Sequence, residues 1–109
     1  MNRIEIKSYK KSKVSDMLVL SGRQLGYDMR EFFKLDEKDK DDIKYEVVFP
    51  DNIISLSTSY FLALFGDSVR KVKNREAFLE KYQFICDQNL KMNINDGIVD
   101  ALNDVDGLS

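Results

Sequence analysis

Residues Val47–Gly66 read VVFPDNIISLSTSYFLALFG, and the fold turns on this stretch. It opens inside the run Tyr45–Pro50 (YEVVFP), rich in β-branched and aromatic residues, which is the strongest strand signal in the chain. Pro50 should end that strand, because proline lacks the N–H that a ladder needs. Ile53–Leu56 looks like a short continuation. The polar run Ser57-Thr58-Ser59 comes next, and after it Tyr60, Leu64 and Val69 with Phe61, Phe65 and Val72 fall at helical spacing. Short hydroxyl side chains at that point cap a helix, since they accept from the unpaired N–H groups of its first turn. A strand that passes through a hydroxyl turn into an apolar helix is a unit of α/β folds.

Further toward the N-terminus, Arg3–Tyr9 alternates, with Ile4 and Ile6 on one side and Glu5 and Lys7 on the other, which is the period of a half-buried strand. Met17–Leu20 is an apolar run too short for periodicity to separate strand from helix. Leu25, Met29, Phe32 and Phe33 recur at helical spacing, placing a helix that begins near Gly26. Lys34–Lys44 (KLDEKDKDDIK) has nine charged residues in eleven, with both signs mixed, and reads as a solvated connection between a smaller front part and a larger back part.

On the C-terminal side, Arg75–Tyr82 has the pattern of a short helix and Gln83–Cys86 that of a brief strand, with a continuing helix as its rival. Leu90, Ile94, Ile98 and Leu102 repeat every four residues beside Ala101 and Val105, so the tail holds an amphipathic helix. Gly97 should weaken that helix by about 1 kcal/mol relative to alanine. Asp104–Ser109 is expected to fray. About four mixed strands and three to four helices make a small α/β sandwich, a single domain over residues 1–109.

The composition narrows the chemistry. The 109 residues include 17 Lys and Arg, 19 Asp and Glu, one Cys and no His, for a net charge of −2. Without histidine there is no Ser–His or Cys–His pair and no histidine-based metal site. Cys86 alone makes no internal disulfide, which fits a reducing compartment, and in its apolar surroundings it reads as a buried inert thiol. No apolar run approaches the roughly 18 residues of a membrane span, and the first residues lack a signal-peptide core, so a cytoplasmic protein is the expectation. The acidic balance argues against nucleic acid as a partner.

The segment Ile54-Ser55-Leu56-Ser57-Thr58-Ser59-Tyr60-Phe61-Leu62, with Phe65-Gly66 beyond it, resembles the core of the STAS-like family, relatives of the anti-sigma-factor antagonists. The family pattern is an apolar strand, a turn of the form S-x-S-F-L and a helix containing F-G. Ser21-Gly22-Arg23, followed by Gly26-Tyr27-Asp28-Met29-Arg30-Glu31, is similar to the family's approach to its first helix. Residues Arg75–Cys86 and the amphipathic tail resemble its closing elements, so the likeness runs from about residue 14 to residue 105.

The resemblance implies a STAS-like sandwich that regulates a protein partner, an ATPase or kinase of the anti-sigma type, by direct contact and without catalysis. In the antagonists, a D-S-S-G turn carries a serine that the partner kinase phosphorylates. Here the acceptor position falls on Thr58, with Ser57 in place of the family aspartate and Tyr60 in place of the glycine. Ser57, Thr58 and Ser59, with the helix that follows, are the contact surface the resemblance implies.

Other residues invite separate readings. Arg23 and Arg30 are candidates for bidentate contact with an anion; the plainer assignment pairs them with Asp28 or Glu31. Arg70, Lys71, Lys73 and Arg75 complement the negative end of the central helix. Asp39-Lys40-Asp41-Asp42 lacks the spacing and glycine of a calcium loop, so neither metal nor cofactor is expected. Basic residues near the N-terminus (Arg3, Lys7, Lys10, Lys11, Lys13) belong to a solvated strand face and loop. Two alternative functions stand beside the regulatory one. The first is an anion- or nucleotide-binding domain at the same helix N-terminus. The second is an accessory protein of a mobile-element or defence operon that forms a homodimer through its tail helix.

Overall fold

Alternation and helical spacing become ten elements in the computed structural model, which describes residues 2–6, 18–51 and 53–104. In chain order these are β1 (Asn2–Glu5), β2 (Leu18–Leu20), α1 (Arg23–Phe32), α2 (Leu35–Lys38), β3 (Tyr45–Val48), β4 (Ile53–Leu56), α3 (Thr58–Val72), α4 (Arg75–Lys81), β5 (Tyr82–Ile85) and α5 (Gln88–Asp104). The chain is an α/β domain. Expectations for residues 7–17 and 105–109, including the end of the first strand, the N-terminal lysines and the tail beyond Asp104, lie outside the described residues.

The strands form two separate ladders. One has the order β1-β3-β5, the other pairs β2 with β4, and among the described residues every pairing is parallel where a mixed set was expected. Parallel neighbours need long crossovers. Here α1 and α2 lie between β1 and β3, and α3 and α4 between β3 and β5. Pro50 sits where the chain leaves the first ladder for the second: β3 stops at Val48, and the Ile53 N–H donates to the Pro50 carbonyl at 3.1 Å. Ile53–Leu56 is therefore a strand of the other ladder, not an extension of β3.

The central helix α3 buries eight of its fifteen residues. A helix apolar over so much of its surface needs partners on several sides, and α1 and α5 flank it. Two glycines allow these helices to approach. A Cβ on Gly26 of α1 would lie 2.5 Å from the Tyr60 carbonyl oxygen, and one on Gly97 of α5 would lie 2.3 Å from the Phe61 ring. Gly97 is thus a packing requirement, and its low helix propensity is the cost of that contact. Below α3, Phe65 is fully buried among Phe78, Tyr82 and Phe84, with ring centroids 5.0 to 5.6 Å away.

The charged stretch Lys34–Lys44 connects the two parts with most of its residues exposed, as expected, but part of it turns inward. It contains α2, and Leu35 at its start is completely buried. The Asp39 carboxylate is also buried, with its side chain 4% exposed. A charge enters the interior only when it is paired and hydrogen-bonded, and Arg30 provides that partner. Phe32, placed on the apolar stripe of α1, instead points outward and is 66% exposed.

Candidate functional site

The end of the β2–β4 ladder brings two helix starts together. Leu20 and Leu56 are register partners, and the Ser57 N–H donates to the Leu20 carbonyl at 2.8 Å. Beyond these residues the chain turns into α1 at Arg23 and into α3 at Thr58, so both N-termini open at the same end of the ladder. α1 starts at Arg23, three residues before the expected point. Gly22 makes this possible by taking φ 95°, a conformation that side chains disfavour.

The two starts are built differently. Ser57 is extended (φ −80°, ψ 158°) and caps α3, its Oγ accepting from the Tyr60 N–H at 3.1 Å. The Ser59 Oγ lies 3.3 Å from the Ser57 Oγ, and the Phe61 N–H donates to the Ser57 carbonyl. On the strand side, the Leu56 N–H donates to Asn93 Oδ1 of α5 at 2.9 Å. Ser57 and Ser59 are half-buried and committed to this turn, while Thr58, the first residue of α3, is exposed. Gly22 gives α1 no side-chain cap, and Arg23 beside it is exposed. The end therefore carries an exposed threonine and an exposed arginine at two adjoining helix N-termini, which favour negative charge. Little of α3 beyond the turn reaches the surface, because α1 and α5 cover its sides.

Arg30, the other arginine singled out in the sequence, faces inward. Its Nε and Nη2 donate to Asp36 Oδ1 (3.1 and 2.7 Å), and its Nη2 also donates to Asp39 Oδ2 (2.8 Å). Its Nη1 donates to the Leu64 carbonyl (2.8 Å) and Ser68 Oγ (3.0 Å). These five bonds match the five N–H groups of a guanidinium. The acids that Arg30 holds belong to the chain itself, and they are Asp36 and Asp39 in place of Asp28 or Glu31. Asp28 accepts from Gln24 on its own helix. Burial alone would lower the Arg30 pKa, but its bonds to Asp39 and Asp36 outweigh that and hold it above the ordinary value. The bond from Arg30 in turn lowers Asp36.

Asp39 ties the helical side to the sheet. Its Oδ2 also accepts from Ser68 Oγ at 2.9 Å, and its Oδ1 accepts from the Tyr82 hydroxyl at 2.6 Å. Burial, and then the bond to Asp39, raises Tyr82. Nearby, the Tyr45 hydroxyl donates to Asp41 Oδ2 at 2.5 Å, and Lys81 Nζ donates to Asp41 Oδ1 at 2.9 Å and to the Asp41 and Ile43 carbonyls. The bond from Tyr45 is the largest of the effects that hold Asp41 down at about 2; burial and then that bond push Tyr45 up to about 12. Both aspartates are occupied by cations and hydroxyls of the protein, and among the described residues no group of three or more His, Cys, Asp or Glu side chains could hold a metal ion.

The remaining candidates separate. Arg70 bonds Asp67, Lys71 points to Asp39 at 3.5 Å, and Arg75 donates to Asn95 of α5. Cys86 is half-buried, and burial pushes its thiol up, which disfavours the reactive thiolate. No described helix is long and apolar enough to cross a membrane. No family model matches the chain, and no curated protein or solved structure matches it either.

Proposed function

We propose that this chain is a cytoplasmic, non-catalytic regulatory module of the STAS-like kind, which binds a protein partner through the Ser57–Ser59 end. The observation that carries the reading is that Thr58, the first residue of α3 and next to the Ser57 cap, is exposed at the end of the ladder where α1 also begins, at the exposed Arg23. The likeness of residues 54–62 to the antagonist turn points to an ATPase or kinase of the anti-sigma type as that partner. Because α3 is mostly buried from Tyr60 to Val69, the contact surface is the turn with the exposed start of α1, including Arg23 and Tyr27. A phosphate on Thr58 would add a charge of about −1.5 to −2 at a helix N-terminus, where the fold tolerates it while the charge of the docking surface changes.

The test is a pull-down from native lysate with tagged wild type beside Thr58→Glu, with circular dichroism confirming that both are folded. Retention of an ATPase by wild type and its loss from the variant is the expected result. Identical partners on both proteins would remove the turn from the account.

A second reading rests on the two adjoining helix starts: an anion or nucleotide bound between Arg23 and Thr58. The turn lacks glycines for close approach to a phosphate, which ranks this reading lower. A rise in melting temperature with ATP or GTP, lost in Arg23→Ala, would favour it.

A further inference from the structure

The three-stranded ladder ends at β5, whose outer side pairs with no described strand. The Ile85 carbonyl accepts from the Phe49 N–H of the β3 side at 3.1 Å. Successive residues of a parallel strand present their backbone groups to opposite sides, so those of Phe84 face the open edge. Natural sheets usually blunt such an edge with lysine, proline or a cover. β5 reads YQFI and has neither residue.

A groove of about 310 Å³ lies along this edge, between α4, β5 and α5. Leu79, Phe84, Ile94 and Ile98 make its floor. Two cations stand on its rim: Arg75 reaches from the start of α4 across to α5, where its Nε donates to Asn95 Oδ1 at 2.9 Å while its Nη1 lies 3.8 Å from the exposed Glu76 carboxylate, and Lys91 lies one helical turn before Asn95. This rim stands out in a chain whose net charge is −2.

We propose that the groove docks an extended acidic segment of a protein partner, which adds a strand to the outer edge of β5. Backbone bonds to the edge would supply affinity, and alternate side chains would supply specificity. Apolar side chains of the segment rest on Phe84 and Ile94, and its carboxylates meet Arg75 and Lys91. A second copy fits poorly, because β5 (YQFI) offers no acid to the other copy's Arg75 and Lys91. The groove shares no residue with the Ser57–Ser59 end, and the proposal does not depend on the function assigned to that end.

The test is selection of a displayed random decapeptide library on the full chain, followed by fluorescence anisotropy of the enriched peptides. Enriched sequences should alternate apolar and acidic residues. Their affinity should fall at least tenfold in the double variant Arg75→Glu, Lys91→Glu, both exposed positions, whose melting curve verifies folding. On the wild-type protein, N-methylation of alternate peptide amides should weaken binding tenfold or more, because it removes the strand bonds and leaves the side chains. Thr58→Glu should bind the peptides normally. The proposal is overturned if no peptide is enriched over an unrelated acidic domain, or if binding is indifferent to the double variant or to N-methylation. Self-association abolished by the double variant would also overturn it, by making a second copy the occupant.

Discussion

The Ser57–Ser59 turn and the Lys34–Lys44 segment are two polar stretches beside the core, and they reach stability by opposite routes. The turn satisfies itself locally: the Ser57 hydroxyl accepts from an N–H three residues on. The charged segment is satisfied from a distance, with Asp39 held by Ser68 and Tyr82, 29 and 43 residues away. A local cap is worth about 1 kcal/mol and leaves its neighbour, Thr58, open to solvent. A buried ion pair is a commitment of the whole fold, because removing one partner strands the other in a poorly solvating interior. The polar residue free to act is therefore in the turn, while the more heavily charged segment is structural.

The contrast predicts a ranking of effects. Asp39→Ala should be the most damaging, destabilising the fold by about 3–5 kcal/mol in urea unfolding, because Arg30, Ser68 and Tyr82 lose their shared acceptor. A loss under 1 kcal/mol would mean that the segment is solvated after all. Ser57→Ala should cost about 1 kcal/mol, the ordinary value of an N-cap. Thr58→Ala should stay within about 0.5 kcal/mol, since Thr58 is exposed; a larger effect would show the turn to be structural throughout.

The pH dependence of unfolding isolates the charged segment. Asp41 is held at about 2, below its unfolded value near 4, so its contribution is full above pH 4 and is lost as the pH falls toward 2. Tyr45 is raised to about 12 from near 10, so its contribution is present below pH 10 and is lost between pH 10 and 12. Urea midpoints across both windows should show the two losses; Tyr45→Phe should weaken the acid one and reduce the alkaline one, leaving the part that the raised Tyr82 contributes. Changes at Thr58 should alter neither.

Much of the fold was legible because its signals are local. Pro50 ends β3, Ser57 caps α3, and the four-residue repeat of Leu90, Ile94 and Ile98 marks the buried face of α5. The misreadings share a cause. Gly97 looked like a weakness in a helix because the Phe61 ring that requires it lies 36 residues away in the chain. Arg30 was expected to pair on its own helix, where Asp28 and Glu31 are near in sequence, yet the buried groove between α2 and α3 offered Asp39 and Ser68. Leu35, a lone leucine among charges, was the one sign in Lys34–Lys44 that the segment returns to the core.

By itself the sequence determined the alternation of strands and helices, the hydroxyl cap at Ser57 and the exclusion of histidine chemistry, because periodicity, capping and composition act within a few residues or on the whole chain at once. Only the tertiary structure decided that the strands divide into two parallel ladders, that Arg30 and Asp39 are buried together, and that β5 leaves an edge open beside a cationic groove. Each of these depends on which distant surfaces meet, and a charge or a glycine takes its role from the partner that the fold brings to it.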